Sequence, residues 1–255
     1  MVHPWELQAD PEWVAALVIV AVDYAVVVRA YARRGQPTSP LRIASFTAGL
    51  VLIGVALLSP LEHIALTSLL SVHLLQNVIL ADWAPPLLVL GLSPAMVAAA
   101  ERVRAVRVLT SPPVALTYWL AAWYGLHVPA VYGFALTHRW ALGLEHLVFI
   151  TSGIAFWWPV LTPARMRAAG KVVYLFGAFV AASPVALALA LTHPQYRFYV
   201  HAPRLWGVSP LEDQQLGAIA MAIEQAAILF AACSVCFFRM LAEDDARDAG
   251  VGFEA

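Results

Sequence analysis

The sequence predicts an all-α fold, a polytopic membrane bundle of seven transmembrane helices with the N-terminus outside and the C-terminus inside. Of the 255 residues, 62% are hydrophobic and only 12% are charged, about half the charged share of a soluble domain. The apolar residues fall into seven long runs, and the basic residues cluster in alternate connections between them. This composition excludes a disordered chain, a collagen-like repeat and a nucleic-acid-binding protein.

Each apolar run is long enough for one helix to cross the hydrocarbon core, which takes about 20 residues. The runs are rich in Ala, Leu and Val and do not alternate as strands do, so helices are predicted. The predicted spans cover residues 13–32, 42–59, 66–91, 113–130, 141–161, 172–192 and 215–238. We predict one transmembrane domain over residues 1–242, followed by an acidic cytoplasmic tail over 243–255.

The distribution of basic residues predicts the orientation. Twelve of the fifteen Lys and Arg residues belong to the first, third and fifth connections or flank the C-terminal end. Only Arg139, Arg197 and Arg204 fall on the opposite side. Because basic loops stay in the cytoplasm, the twelve are predicted to lie inside.

With this orientation, all eight histidines lie on or near the outer face. A one-sided set argues against an electron carrier with hemes in both leaflets, and neutral imidazole is a common ligand of copper and zinc. Three histidines lie within or at the end of predicted spans: His73, His127 and His146. They are either metal ligands or buried hydrogen-bonding groups. The rest are expected to be ordinary surface residues, with the role of His63 left open: His3, His63, His138, His193 and His201.

Other polar residues also lie within predicted spans. Gln76 and Asn77 share a helix face with His73, and Glu145 adjoins His146. A buried carboxylate is costly unless it is paired, protonated or facing a polar cavity. The remaining carboxylates within spans are either a proton relay of a transporter or interhelical hydrogen-bonding groups: Asp23, Asp82 and Glu224.

Two further features of the spans carry predictions. Pro85 and Pro86 follow Asp82 and remove two helical donors, so the third span is predicted to kink or break there. Cys233 and Cys236 lie toward the inner end of the seventh span, away from the histidines. These cysteines either form an entry point for Cu(I) or serve only as small packing residues, and packing is the favoured interpretation. Two cysteines are too few for a disulfide framework.

Four segments in order resemble one protein family. They are His73-Leu-Leu-Gln-Asn77 with Ala84-Pro-Pro-Leu-Leu-Val-Leu-Gly91, His127-Val-Pro-Ala-Val-Tyr132, Leu144-Glu-His-Leu147 leading to Phe156-Trp-Trp-Pro159, and Asp213-Gln-Gln-Leu-Gly217. This order and spacing is similar to the CtaG-type cytochrome c oxidase assembly factors of bacteria. The resemblance extends from about residue 63 to residue 239. Members of this family often have a second histidine at the positions of Asn77 and Leu142.

The resemblance implies a non-enzymatic assembly factor of the bacterial inner membrane that presents or relays copper at the outer face to an oxidase subunit. It implies that His73, His127 and His146 are the copper ligands. It also highlights Asp213 and Gln214. The other polar positions predicted to support the ligands or to line the interior are Gln76, Asn77, Glu145 and Glu224, and at Glu224 the chain departs from the family pattern. Two alternatives stay open: a proton or metal-ion transporter that uses the carboxylates within spans, and a scaffold for oxidase assembly that binds no metal.

Overall fold

In the computed structural model, the described residues are 10–162 and 165–251, with side chains described as far as residue 243, and their regular structure is entirely helical. The helices are α1 (Pro11–Arg33), α2 (Pro40–Leu58), α3 (Pro60–Thr67), α4 (Leu70–Val78), a π-helical segment (Ile79–Trp83), α5 (Ala84–Gly91), α6 (Pro94–Ala100), α7 (Arg104–Leu109), α8 (Pro112–Leu126), α9 (Pro129–Thr137), α10 (Arg139–Leu161), α11 (Ala168–Leu191), α12 (Arg197–His201) and α13 (Pro210–Val251). The prediction of an all-α fold is confirmed for these residues.

Six helical stretches are long and apolar enough to cross a membrane, and they indicate a multi-pass membrane protein. They are α1, α2, the continuous stretch Leu70–Gly91, α10, α11 and α13. The run predicted as the fourth span is shorter, because α8 has 15 residues and reaches only about 22 Å. Pro129 starts a separate helix immediately after it. The count of seven spans and the orientation across the membrane therefore remain predictions.

The two ends of the bundle differ in chemistry. Asp10, which caps α1, accepts a 2.6 Å hydrogen bond from Arg139 at the start of α10, so these helices begin at the same end. Tyr31, near the other end of α1, donates to the carbonyl oxygen of Ala95 in α6. We call the first end, formed by α3, α9, α12 and the adjoining ends of α4, α8 and α10, the histidine end. The opposite end, with α6 and α7, is the arginine end.

The third span is a helix interrupted near its middle. Pro85 and Pro86 lack the N–H groups that would bond to the carbonyls of Ala81 and Asp82, four residues earlier. The chain widens here into the π-helical segment, in which the N–H of Ala84 donates to a carbonyl five residues earlier. The structure shows neither a break nor a separate helix but a π-helical segment at the predicted place, and the stretch from Leu70 to Gly91 stays continuous.

Helix α10 crosses this π-helical segment at Gly153. A Cβ atom at Gly153 would lie 2.6 Å from Cγ of Pro85 and would also overlap the carbonyl oxygen of Ala81. Only glycine allows the two backbones this approach, which fixes the position of α10 against the third span. His146 lies about two turns away on the same helix, so this crossing also sets the position of the histidine.

The substitution Gly153→Ala is expected to destabilise the fold by about 1–3 kcal/mol, because the added methyl group overpacks a contact between two backbones. The thermal unfolding temperature in detergent measures this effect. Gly143→Ala is the matched control on the same helix, since a Cβ there meets nothing within 4 Å. Equal unfolding temperatures for the two variants would contradict the role of the crossing.

Candidate functional site

The histidine end encloses a cluster of buried polar side chains contributed by separate helices. His73 in α4 and His146 in α10 are fully buried, and His127, which follows α8, is 6% exposed. Tyr132 in α9 is fully buried, and its ring packs 4.8 Å from that of His73 and 6.4 Å from that of His127, between ring centroids. The structure thus brings the three histidines predicted from the sequence into one buried region around Tyr132.

Asp213 positions the helix that carries His73. Helix α4 has no side-chain cap of its own, and the Asp213 carboxylate in α13 accepts hydrogen bonds from the N–H groups of Leu70 (2.8 Å) and Ser71 (3.0 Å). A carboxylate at a helix N-terminus satisfies free donors and interacts favourably with the helix dipole. The resemblance implied a supporting role for Asp213, and its contacts show that it acts on the α4 backbone.

Gln214 makes the corresponding contact on the other side of α13. Its side-chain amide donates to the carbonyl of Leu189 near the end of α11 (2.8 Å) and accepts a hydrogen bond from the N–H of Gln195 (2.7 Å). It therefore satisfies backbone groups where α11 ends and the next connection begins. Neighbouring residues of one helix thus hold the ends of two others, α4 and α11.

The hydrogen bonds of Tyr199 fix the tautomer of neutral His73. Burial raises the pKa of Tyr199 well above its ordinary value, so the hydroxyl keeps its single proton. That proton is donated to the carbonyl oxygen of Ala65 at 2.6 Å. The contact of 2.8 Å between Nδ1 of His73 and the same hydroxyl must therefore be donated by the histidine. The lone pair of His73 then lies on Nε2.

The tautomer of His127 is set in the same way, by a hydrogen bond to a backbone carbonyl. Its Nδ1 lies 2.6 Å from the carbonyl oxygen of Trp123, which can only accept, so Nδ1 carries the hydrogen. Tyr196 donates to the carbonyl oxygen of His127 itself at 2.9 Å and holds the turn after α8. The lone pair of His127 also lies on Nε2, inside the buried cluster.

His146 is the histidine nearest to His73. Their ring centroids are 6.3 Å apart and the planes are nearly perpendicular. A metal bonded to imidazole lies about 2 Å from the nitrogen and roughly 3 Å from the ring centroid, so two rings that share an ion are at most roughly 6 Å apart. His73 and His146 are close to that separation, whereas the ring of Tyr132 lies between His127 and His73.

A carboxylate completes this part of the cluster. Oε1 of Glu145 lies 3.7 Å from Nε2 of His73, and the same oxygen accepts a hydrogen bond of 3.4 Å from the side-chain amide of Asn77. Asn77 follows His73 by one helical turn, so α4 presents both partners of the carboxylate. The spacing of His73 and Asn77 predicts that they share one helix face, and the structure buries both side chains.

Gln76, also in α4, donates a hydrogen bond to a second carboxylate. Its amide donates to the carbonyl oxygen of Ala56 (2.8 Å) and to the side chain of Glu62 in α3. Burial raises the pKa of Glu62 to about 7, against the opposing effect of the hydrogen bond from Gln76. Gln76 thus ties α3 to α4 and makes no hydrogen bond to the histidines.

The fit of this cluster to a metal ion rests on its free nitrogen atoms. Within the described residues, Nε2 of His73, Nε2 of His127 and both ring nitrogens of His146 are buried without a hydrogen-bond partner. A neutral His146 carries hydrogen on one of its two nitrogens, so three of these four atoms are acceptors and one is a donor. Buried polar groups are nearly always paired, so this concentration of unpaired groups marks a place for a further group. In that same part of the chain, no group of three or more His, Cys, Asp or Glu side chains is placed so that it could hold a metal ion. Imidazole nitrogens are a kind of ligand that copper accepts, but their positions here do not form a metal site.

The carboxylates considered as a proton relay do not share one cavity. Asp23 lies on the exposed surface of α1, whereas Asp82 in the π-helical segment is fully buried beside Trp119 and Gln225. Glu224 is half-buried, and it is Gln225 that faces the interior from α13. Cys233 and Cys236 are free thiols on α13, about five turns or more beyond Asp213 at the histidine end.

The remaining histidines occupy different environments. His138, His193 and His201 are exposed, as expected of surface residues. His63 is buried in α3, and neither ring nitrogen has a hydrogen-bond partner in the part of the chain that the structure describes. His3 lies outside the described residues.

Sequence reasoning gave no role to three tyrosines and one carboxylate of the site. Tyr132 belongs to the segment that begins at His127, but an aromatic residue in an apolar run carries no separate signal. Tyr196 and Tyr199 lie in a connection between spans, and Glu62 lies in the short helix α3. Tyr199 is 126 positions from His73 along the chain, so only the tertiary fold shows that they meet.

Comparison with known proteins agrees with the resemblance noted in the sequence. Neither the curated proteins nor the solved structures gave a match. The family model described as cytochrome c oxidase caa3 assembly factor (Caa3_CtaG) matches residues 22–243, a range that includes every residue named in the site. The chain belongs to the cytochrome c oxidase caa3 assembly factor family.

Proposed function

We propose that this protein is a non-enzymatic assembly factor that carries copper as its cargo and presents or relays it to a cytochrome c oxidase subunit at the outer face of the bacterial inner membrane. The observation that carries the proposal is the state of His73 and His127. Each uses Nδ1 as a hydrogen-bond donor and leaves a buried Nε2 free. Metal-binding histidines are commonly oriented by such a bond from their other nitrogen.

The charge of the cluster favours Cu(I). The histidines are neutral ligands, and Glu145 is the carboxylate nearest to His73. A Glu145 carboxyl that loses its proton when the ion binds neutralises a monovalent ion, whereas a divalent ion leaves a net positive charge that is costly to bury. Imidazole is a suitable ligand for copper.

The open geometry of the cluster suits a cargo rather than a permanent cofactor. His73 and His146 are 6.3 Å apart between ring centroids, and His127 lies beyond Tyr132. A site that no rigid set of ligands closes releases its ion more readily than a structural metal site. The predicted orientation places this end of the bundle on the outer side of the membrane, where the ion would pass to the oxidase.

The first test is Cu(I) binding by the purified protein in detergent. We expect the wild type to retain Cu(I) against a chromogenic chelator, and the His73→Ala/His127→Ala/His146→Ala variant to lose it, because the free nitrogens are removed. The control is His138→Ala/His193→Ala/His201→Ala, which removes three exposed histidines and should bind as the wild type does. Equal retention by the two triple variants would contradict the assignment of the ligands.

The second test concerns the tautomer. Tyr199→Phe removes the group that accepts the Nδ1 hydrogen of His73, and loss of such an orienting partner lowers metal affinity by about 10–100-fold. Tyr196→Phe is the matched control, because its hydroxyl bonds the backbone of His127 and not an imidazole ring. Chelator competition measures both affinities. An equal loss in the two variants would show that packing, not the tautomer, matters.

The third test separates a copper carrier from a scaffold. In cells that lack this protein, the wild type should restore oxidase activity and the copper content of the purified oxidase. The variant without His73, His127 and His146 should restore neither, while it still accumulates in the membrane. Full restoration by that variant would support a scaffold that binds no metal.

A further inference from the structure

Helix α1 carries an ionisable side chain on a surface that no other part of the described structure covers. Asp23 is exposed, and in the described residues it makes no ion pair and no side-chain hydrogen bond. It follows the first residue of α1 by twelve positions and precedes the last by ten, about 18 Å and 15 Å along the helix. Half of a hydrocarbon core is about 15 Å, so Asp23 lies near the middle of the membrane.

The packing of α1 leaves this surface free. One side of the helix faces the bundle: Tyr24 stacks on Phe46 of α2 at 3.7 Å between ring centroids and donates to the carbonyl oxygen of Gly91. The surface around Asp23 is apolar and exposed, with Ile19, Val20, Val26 and Val27 one turn before and after it. A carboxylate in such a setting is costly in lipid and marks a place of interaction.

We infer that this surface of α1 binds a transmembrane helix of a partner protein that carries a Lys or Arg side chain near the middle of the membrane. An ionised Asp only accepts hydrogen bonds, and a basic side chain supplies both the donor and the opposite charge that make an ionised Asp23 tolerable in the membrane. The apolar residues around Asp23 supply the surface for van der Waals packing between the helices.

A second copy of this chain does not fit that description. Its Lys and Arg residues lie in the connections or near the ends of the apolar runs, and none lies in the middle of a run. Two copies that met through α1 would place one carboxylate against another. The inference is independent of copper, because Asp23 lies outside the histidine cluster.

The test uses the full-length protein in liposomes with two Leu-rich transmembrane peptides, one with a single central Lys and one with Leu at that position. Energy transfer from a fluorescent tag on the protein to a labelled peptide measures binding. We expect the wild type to bind the Lys peptide at least about tenfold more tightly than the Leu peptide. The Asp23→Leu variant should lose this preference. Because the leucine is apolar and faces lipid, the thermal unfolding temperature of this variant should equal that of the wild type, which would show that the fold is intact.

Two further variants sharpen the test. Asp23→Lys should reverse the preference and favour a peptide with a central Asp. Asp23→Leu/Val180→Asp moves the carboxylate to an exposed position of α11 and should not recover binding of the Lys peptide. Retained preference in Asp23→Leu, full recovery in the double variant, or self-association that depends on Asp23 would each overturn the inference.

Discussion

The hydrogen bonds from the start of α4 to the Asp213 carboxylate are the contact on which the site depends. Helix α4 begins at Leu70 without a capping side chain, and Asp213 supplies the missing acceptor from a helix more than a hundred residues later. A charged acceptor makes these bonds strong. His73 and Asn77 follow within two turns, so the buried polar face of α4 is held in place by a contact between α4 and α13.

The tautomers of His73 and His127 follow from which neighbouring groups can donate a hydrogen bond and which can only accept one. Inside a membrane protein each polar group must find its partner within the protein. The Tyr199 proton is used by Ala65, and the Trp123 carbonyl can only accept, so the hydrogens of His73 and His127 are assigned to Nδ1. The free Nε2 atoms of His73 and His127 are then acceptors beside Glu145, and such atoms can take either a cation or a hydrogen-bond donor.

The sequence predicts the part of this structure that depends on local chemistry. Run length and composition predict seven spans, and six of them are long apolar helices in the structure. Pro85 and Pro86 predict the irregular segment of the third span. The depth of His73, His127 and His146 in the spans singles out three histidines that the structure buries in one region. Long-range contacts are not encoded locally: the bonds of Tyr199, and the choice of Gln225 over Glu224 as the interior residue, depend on which faces of the helices pack. The exposure of Asp23 is of the same kind, because it depends on which side of α1 contacts α2.

X-ray absorption at the copper edge of the Cu(I)-loaded protein tests the central claim most directly, because it identifies the ligand atoms. The account predicts nitrogen ligands at about 2 Å with the outer scattering of imidazole rings, and loss of that signal when His73 and His127 are replaced. Sulfur ligands at about 2.3 Å would place the copper at Cys233 and Cys236 instead and would contradict the account.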